Sequence, residues 1–204
     1  MTVRLFLLGL LVAAGPAAAQ RPRTPQRQAK PEYGNYRPPP QQCSAVAARV
    51  DLVSGVSDKI NGALFFYQEC PSHPVMVTGR ISGLTPGKHG LHVHELPNLG
   101  EKCSDAGGHY NPFQRNHGAQ TSDTDHRHVG DLGNIVADYN GVAEVYIADP
   151  IISLFPGDRD IFRRSIVVHS GEDDLGLGGN PGSLKTGNAG MRLGCGVIAP
   201  NNVL

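Results

Sequence analysis

Nine histidines occur in the chain, all between positions 73 and 169. His92-Val93-His94 is an i, i+2 pair. In an extended strand its two imidazoles face the same way, about 7 Å apart along the backbone, and can grip one metal ion. Alone, such a pair equally describes two polar residues on a solvated strand face. Downstream, His109, His117, His128 and Asp131 bring four more donors into one long loop. Several imidazoles with one carboxylate form a set for zinc or copper rather than calcium or magnesium, which take all-oxygen shells. His169 ends the apolar run Ser165–Val168, as a ligand held by rigid structure would. His126 competes with His128 for a place in the set; the spacing to Asp131 and the intervening Gly130 favour His128. His73 sits in a Pro-flanked turn and His89 within a strand, where a backbone hydrogen bond suits it better than a metal. Asp173 and Asp174, read alone, are a solvated acidic turn.

The four cysteines, at 43, 70, 103 and 195, contain no C-x2-C pair, which disfavours a cysteine zinc site. In an exported chain they form two disulfides. If the first two strands make a hairpin centred near Val56, Cys43 and Cys70 face each other at its open end, which predicts a bridge between them.

Positioning so many donors requires a rigid scaffold. Apolar or alternating runs at Val46–Val53, Ala63–Tyr67, Val75–Ile81, His89–Glu95, Ile135–Ala137, Val142–Ile147, Ser165–His169 and Cys195–Ala199 read as strands. They are punctuated by Gly and Pro turns, with Asn140-Gly141 the strongest hairpin signal. Seven or eight short strands without helical periodicity predict an antiparallel sandwich or barrel. The stretches 96–128 and 170–194 are too long for simple connections, and both are rich in His, Asp and Gly, which marks them as functional loops.

The N-terminus is organised differently. A short basic opening, the apolar run Leu5–Ala14 and Ala17-Ala18-Ala19 have the layout of a secretory signal peptide, residues 1–19, cleaved before Gln20. The apolar run is too short to span a membrane, which takes about 20 residues. Residues 20–42 hold six Pro, several Gln and a net charge of +4, the composition of a disordered basic tail. The whole chain balances 18 basic against 18 acidic residues, yet residues 43–204 carry 12 against 17. The neutral total is therefore a cancellation between a basic tail and an acidic domain. It gives no support to nucleic-acid binding by bulk basicity.

From Val46 to Ala199 the chain resembles the copper/zinc superoxide dismutases. The resemblance rests on GLTPGKHGLHVHE (83–95), GGHYNP (107–112), HVGDLGN (128–134), VVH (167–169), DDLG (173–176), KTGNAG (185–190) and RLGCGVI (192–198), in the family's order. It implies an eight-stranded Greek-key β-barrel, a close relative of the immunoglobulin-like sandwich, over residues 43–204. The implied copper ligands are His92, His94, His109 and His169. The implied zinc ligands are His109, His117, His128 and Asp131, with His109 shared. Asp173 would link one copper and one zinc histidine, Arg192 would be the active-site arginine, and Cys103–Cys195 the intrachain disulfide.

The implied activity is disproportionation of superoxide to oxygen and hydrogen peroxide, by redox-cycling copper with structural zinc. His109 would take up a proton and Arg192 would draw in the anion. The expectation is an antioxidant enzyme, secreted and extracellular, with superoxide as substrate and no membrane span. An extracellular copper- and zinc-binding protein with little turnover is the alternative, and a matrix-binding module using the tail on polyanions a third reading.

Several positions depart from the family. The His117–His128 loop is two residues longer than usual, Pro181 and Gly182 replace an acidic pair, and Ser170 stands where an acid is common. A homodimer has to accommodate Phe162, Arg163 and Arg164 in place of small and aliphatic residues; a buried, unpaired Arg163 would cost on the order of several kcal/mol.

Overall fold

The computed structural model of the protein describes residues 43–201, so the expected signal peptide and basic tail lie outside the described residues. Eight antiparallel strands form a nearly closed barrel: β1 (Val46–Ser54), β2 (Asn61–Gln68), β3 (Val75–Ser82), β4 (Gly87–His94), β5 (Asp131–Ala137), β6 (Val142–Asp149), β7 (Ser165–His169) and β8 (Arg192–Val197). Their order is β5-β4-β7-β8-β1-β2-β3-β6. The out-of-sequence neighbours β3/β6, β4/β7 and β8/β1 give the Greek-key path. The two ends of that path, β5 and β6, are joined by the Asn140-Gly141 turn. There Asp138 accepts from the amides of Asn140 and Val142, both at 2.9 Å.

Pleating explains the burial. In β1, Ala48, Val50 and Leu52 enter the core while Arg49 and Asp51 face out. The centre of β7, Ile166–Val168, is apolar on both faces because the whole strand is buried. Ile166 and Val168 face the main core, whereas Val167 packs with Cys103, Ala106 and Cys195.

Two boundaries move. β5 starts at Asp131 and not at Ile135, because Asp131 pairs with His92 on β4 across a bulge. The last expected strand is interrupted at Ile198, whose amide donates to the Arg164 carbonyl. A ninth strand, β9 (Ala199–Pro200), then adds to β1.

The long connections are 95–130, between β4 and β5, and 170–191, between β7 and β8. The first contains a 3₁₀ segment (Glu101–Ala106), the second a single helical turn (Ser183–Thr186). Both disulfides are formed: Cys43–Cys70, with Cα atoms 5.6 Å apart, joins the ends of β1 and β2. Cys103–Cys195 ties the first loop to β8 across 92 positions. The second closure is worth about 4–5 kcal/mol in the chain-entropy account. Among the described residues no helix is long and apolar enough to cross a membrane.

Candidate metal centre

β4 delivers His92 and His94, β7 delivers His169, and the first loop supplies His109, His117 and His128. The loop is pinned for this purpose. Tyr110 donates to the Val93 carbonyl at 2.8 Å, and Val93 in turn donates to the Gly130 carbonyl at 2.9 Å. The ligand segments on either side thus lie against β4. Donor atoms gather into two buried groups, His92/His94/His109/His169 and His109/His117/His128/Asp131, sharing His109. His126 stays outside, its side chain 75% exposed and paired with Asp123.

Hydrogen bonds assign each imidazole's free lone pair. The Nδ1–H of His94 donates to the Gly107 carbonyl and that of His169 to the Gly190 carbonyl, at 2.9 and 3.2 Å, leaving each Nε2 free. Those two Nε2 atoms stand 3.3 Å apart. The carboxylate of Asp173 accepts from Nε2 of His92 at 2.8 Å and of His117 at 2.7 Å, leaving each Nδ1 free. The buried Nδ1 atoms of His92 and His117 and Nε2 of His109 have no hydrogen-bond partner in the protein. Nδ1 of His117 lies 2.9 Å from Asp131 Oδ1 without hydrogen-bond geometry.

In the second group, Asp131 Oδ1 stands 2.8 Å from His109 Nδ1 and 3.1 Å from His128 Nδ1, and these two nitrogens are 3.4 Å apart. A tetrahedral zinc with bonds of about 2.0–2.1 Å separates its ligand atoms by roughly 3.3 Å. The two nitrogens match that separation, Asp131 lies closer at hydrogen-bond distance, and the orphaned nitrogens are otherwise an uncompensated cost.

Electrostatics point the same way. Burial, reinforced by neighbouring His92, pushes His109 down to about 3. Burial and adjacent imidazoles hold His94 and His169 well below the usual range. Burial also works against charge on His117, but Asp131 and Asp173 overcome it and raise it to about 9. Without metal, His94, His109 and His169 stay neutral and open to a cation, whereas His117 takes an added proton on Nδ1, beside Asp131, which a bound cation would displace.

Arg192 opens β8 and reaches back to the first loop. Its Nη1 donates to the Cys103 carbonyl and its Nη2 to the Gly107 carbonyl, both at 2.6 Å. His89 donates to the His169 carbonyl from Nδ1 at 2.7 Å, supporting the strand and not a metal.

Sequence reasoning missed three supports. Arg127 and Asp149 form a fully buried ion pair at 2.8 Å. Arg127 also holds the carbonyls of Gln120, His128 and Val129, clamping the loop to the end of β6. Asn134 makes reciprocal bonds of 2.8 Å with the backbone of Asp173. Gly187, with φ of 62°, leaves the space occupied by Asp173 Oδ1 and His117 Nε2, which a Cβ would invade. The KTGNAG block contained the glycine signal; nothing local marked the other two.

An antiparallel barrel with two abutting nitrogen-rich sites sharing one imidazole defines a dinuclear copper/zinc class of β-barrel protein. The family described as copper/zinc superoxide dismutase (SODC) matches residues 60–198. The chain is 48% identical over 146 residues to Cu-Zn superoxide dismutase 5 of Dictyostelium discoideum, covering 72% of this chain and 94% of that one. It is 51% identical over 140 residues to the Cu-Zn superoxide dismutase of Cryptococcus neoformans var. grubii, covering 68% and 89%. With that of Yarrowia lipolytica it shares 49% over 141 residues, covering 69% and 90%. The protein belongs to the copper/zinc superoxide dismutase family, enzymes of the oxidoreductase class that use copper and zinc.

Proposed function

We propose that the protein dismutates superoxide outside the cell, with copper held by His92, His94, His109 and His169 and zinc by His109, His117, His128 and Asp131. The observation that carries this reading is the pair of orphaned nitrogens on His92 and His109, buried and aimed at one ligand group. Copper held there would supply reversible one-electron chemistry suited to both oxidation and reduction of superoxide, and zinc would supply fixed charge.

The protein's own groups do the rest. Arg192, immobilised by backbone carbonyls, presents a fixed cation to the anionic substrate. Nε2 of His109 is the position where a proton can be held and delivered to the reduced product. Asp173 orients one ring of each group, and Asp131 balances the charge. Metal analysis combined with superoxide turnover tests the reading: one copper and one zinc per chain with negligible dismutation would refute it.

The extracellular setting rests on the signal-like residues 1–19 and on two disulfides, which persist in oxidising compartments. The basic residues 20–42 supply a weak hold on extracellular polyanions. Heparin retention of the mature chain, compared with a chain starting at Cys43, tests that attachment. A homodimer is the expected assembly, and any interface that covers Arg163, exposed in the single chain, has to supply that guanidinium with a partner. Arg164 is satisfied internally, lying over the Tyr110 ring at 3.3 Å and bonding the Glu95 carbonyl. Sedimentation of the mature chain checks this assembly.

A further inference from the structure

A cleft of about 650 Å³ has His109 and His128 in its lining, and the dismutase reading leaves most of its wall unused. The first loop contributes Arg115 and Asn116; the second contributes Pro181, Leu184 and Lys185. No Asp or Glu lines it. Lys185 makes no ion pair among the described residues, while Arg115 commits Nη2 to Asp125 at 2.6 Å, an exposed contact that salt weakens. Leu184 remains 45% exposed beside these cations, although it stands within a turn whose backbone is well bonded. The cleft therefore combines one cation without an ion pair, Lys185, a second cation shared with Asp125, a small apolar surface and imidazole rings, within the range of about 300–1,000 Å³ typical of small-molecule sites.

We propose that this cleft binds a small aromatic carboxylate, with the carboxylate at Lys185 and Arg115 and the ring on Leu184 and Pro181. Three simpler occupants fit less well. An inorganic anion would use the exposed cations alone and leave the apolar surface wet. A neutral hydrocarbon would cover Leu184 while stripping water from Lys185 without replacing it. A further metal ion would find no carboxylate in the lining. A flat ring carrying one negative charge meets the apolar and the cationic surfaces together, and is large enough to block approach to His109.

The test is isothermal titration of the copper- and zinc-loaded protein with benzoate, acetate and inorganic phosphate. Benzoate is expected to bind about tenfold or more tightly than acetate or phosphate, since only benzoate buries apolar area. Leu184→Ser should bring benzoate close to acetate, and Lys185→Gln should weaken benzoate and acetate alike. Equal affinity for benzoate and acetate, phosphate binding as tightly as benzoate, or an unchanged Leu184→Ser variant would each overturn the proposal. Protein loaded with zinc alone should bind benzoate unchanged; loss of binding there would make the carboxylate a copper ligand and overturn it too. The heats are read without superoxide, so this result stands or falls separately from turnover.

Discussion

His94 and Arg192 are held by the same oxygen atom, the Gly107 carbonyl, which accepts from His94 Nδ1 at 2.9 Å and from Arg192 Nη2 at 2.6 Å. The proposed copper ligand and the cation proposed to attract the substrate thus share one backbone anchor. That anchor lies in the loop that Cys103–Cys195 fastens to β8, so the disulfide, the ligand and the arginine form one positioning unit.

Removing the cation should slow capture without emptying the site. For Arg192→Ala, kcat/KM for superoxide is expected to fall about tenfold or more, with a shallower dependence on ionic strength. Arg192→Lys should recover only part of the loss, because an ammonium cannot reach the Cys103 and Gly107 carbonyls as a fork does. Pulsed superoxide kinetics across salt concentrations measure both. Full activity in Arg192→Ala would remove Arg192 from the mechanism.

Opening the Cys103–Cys195 bridge should do two things. Cys103→Ser with Cys195→Ser is expected to lose about 4 kcal/mol of stability from the longer free loop. Turnover of the molecules that remain folded should also drop, because the carbonyls fixing Arg192 are released. Denaturant titration and activity per bound copper separate the effects.

The buried pair Arg127–Asp149 should be indispensable while costing nothing locally visible. Asp149→Asn is expected to destabilise the protein by about 3–5 kcal/mol, leaving Arg127 buried and uncompensated. It should also weaken zinc binding about 10- to 100-fold, by freeing the backbone of His128 and Val129. Competition with a zinc chelator reads the second effect directly.

Metal-free protein should be acid-sensitive. His109 is depressed to about 3 by burial, and His94 and His169 are depressed with it. Below about pH 6.5 the unfolded chain takes up protons that these folded sites refuse, so stability falls as pH drops from there toward 3. His117, raised to about 9, has the opposite sign: its contribution is complete below pH 6.5 and is lost as pH rises through 9. Three depressed rings outweigh one raised ring on the acid side. Calorimetry between pH 7 and 5 should show a falling Tm without metal and a nearly flat one with copper and zinc bound.

The strand pattern and the donor set followed from local chemistry. Alternation in Val46–Ser54 and the i, i+2 spacing of His92 and His94 are properties of a few consecutive residues. What escaped depends on contacts distant in sequence. Arg127 lies between His126 and His128 with nothing local to mark it, and only folding brings it to Asp149, 22 positions away. Asn134 and Asp173 are 39 positions apart, and the Asn134 side chain holds both the amide and the carbonyl of Asp173, which leaves no periodic trace. β5 begins at Asp131 because of its cross-strand partner and not because of its own alternation. Arg163, with a positive φ of 59°, stands in an exposed turn of the single chain, a backbone conformation that its residue type gives no hint of.

The helical turn Ser183–Thr186 and Gly187 place two opposite constraints side by side. Gly187 is locked, since any side chain there would strike the carboxylate that joins His92 to His117. Pro181, Leu184 and Lys185, a few residues earlier, line the cleft with their side chains, while the Leu184 carbonyl accepts from the His117 amide at 2.8 Å. One short segment therefore separates what must stay from what is free to vary. Selection could rewrite which anions the rim admits, residue by residue, while the redox centre beneath it went on unchanged.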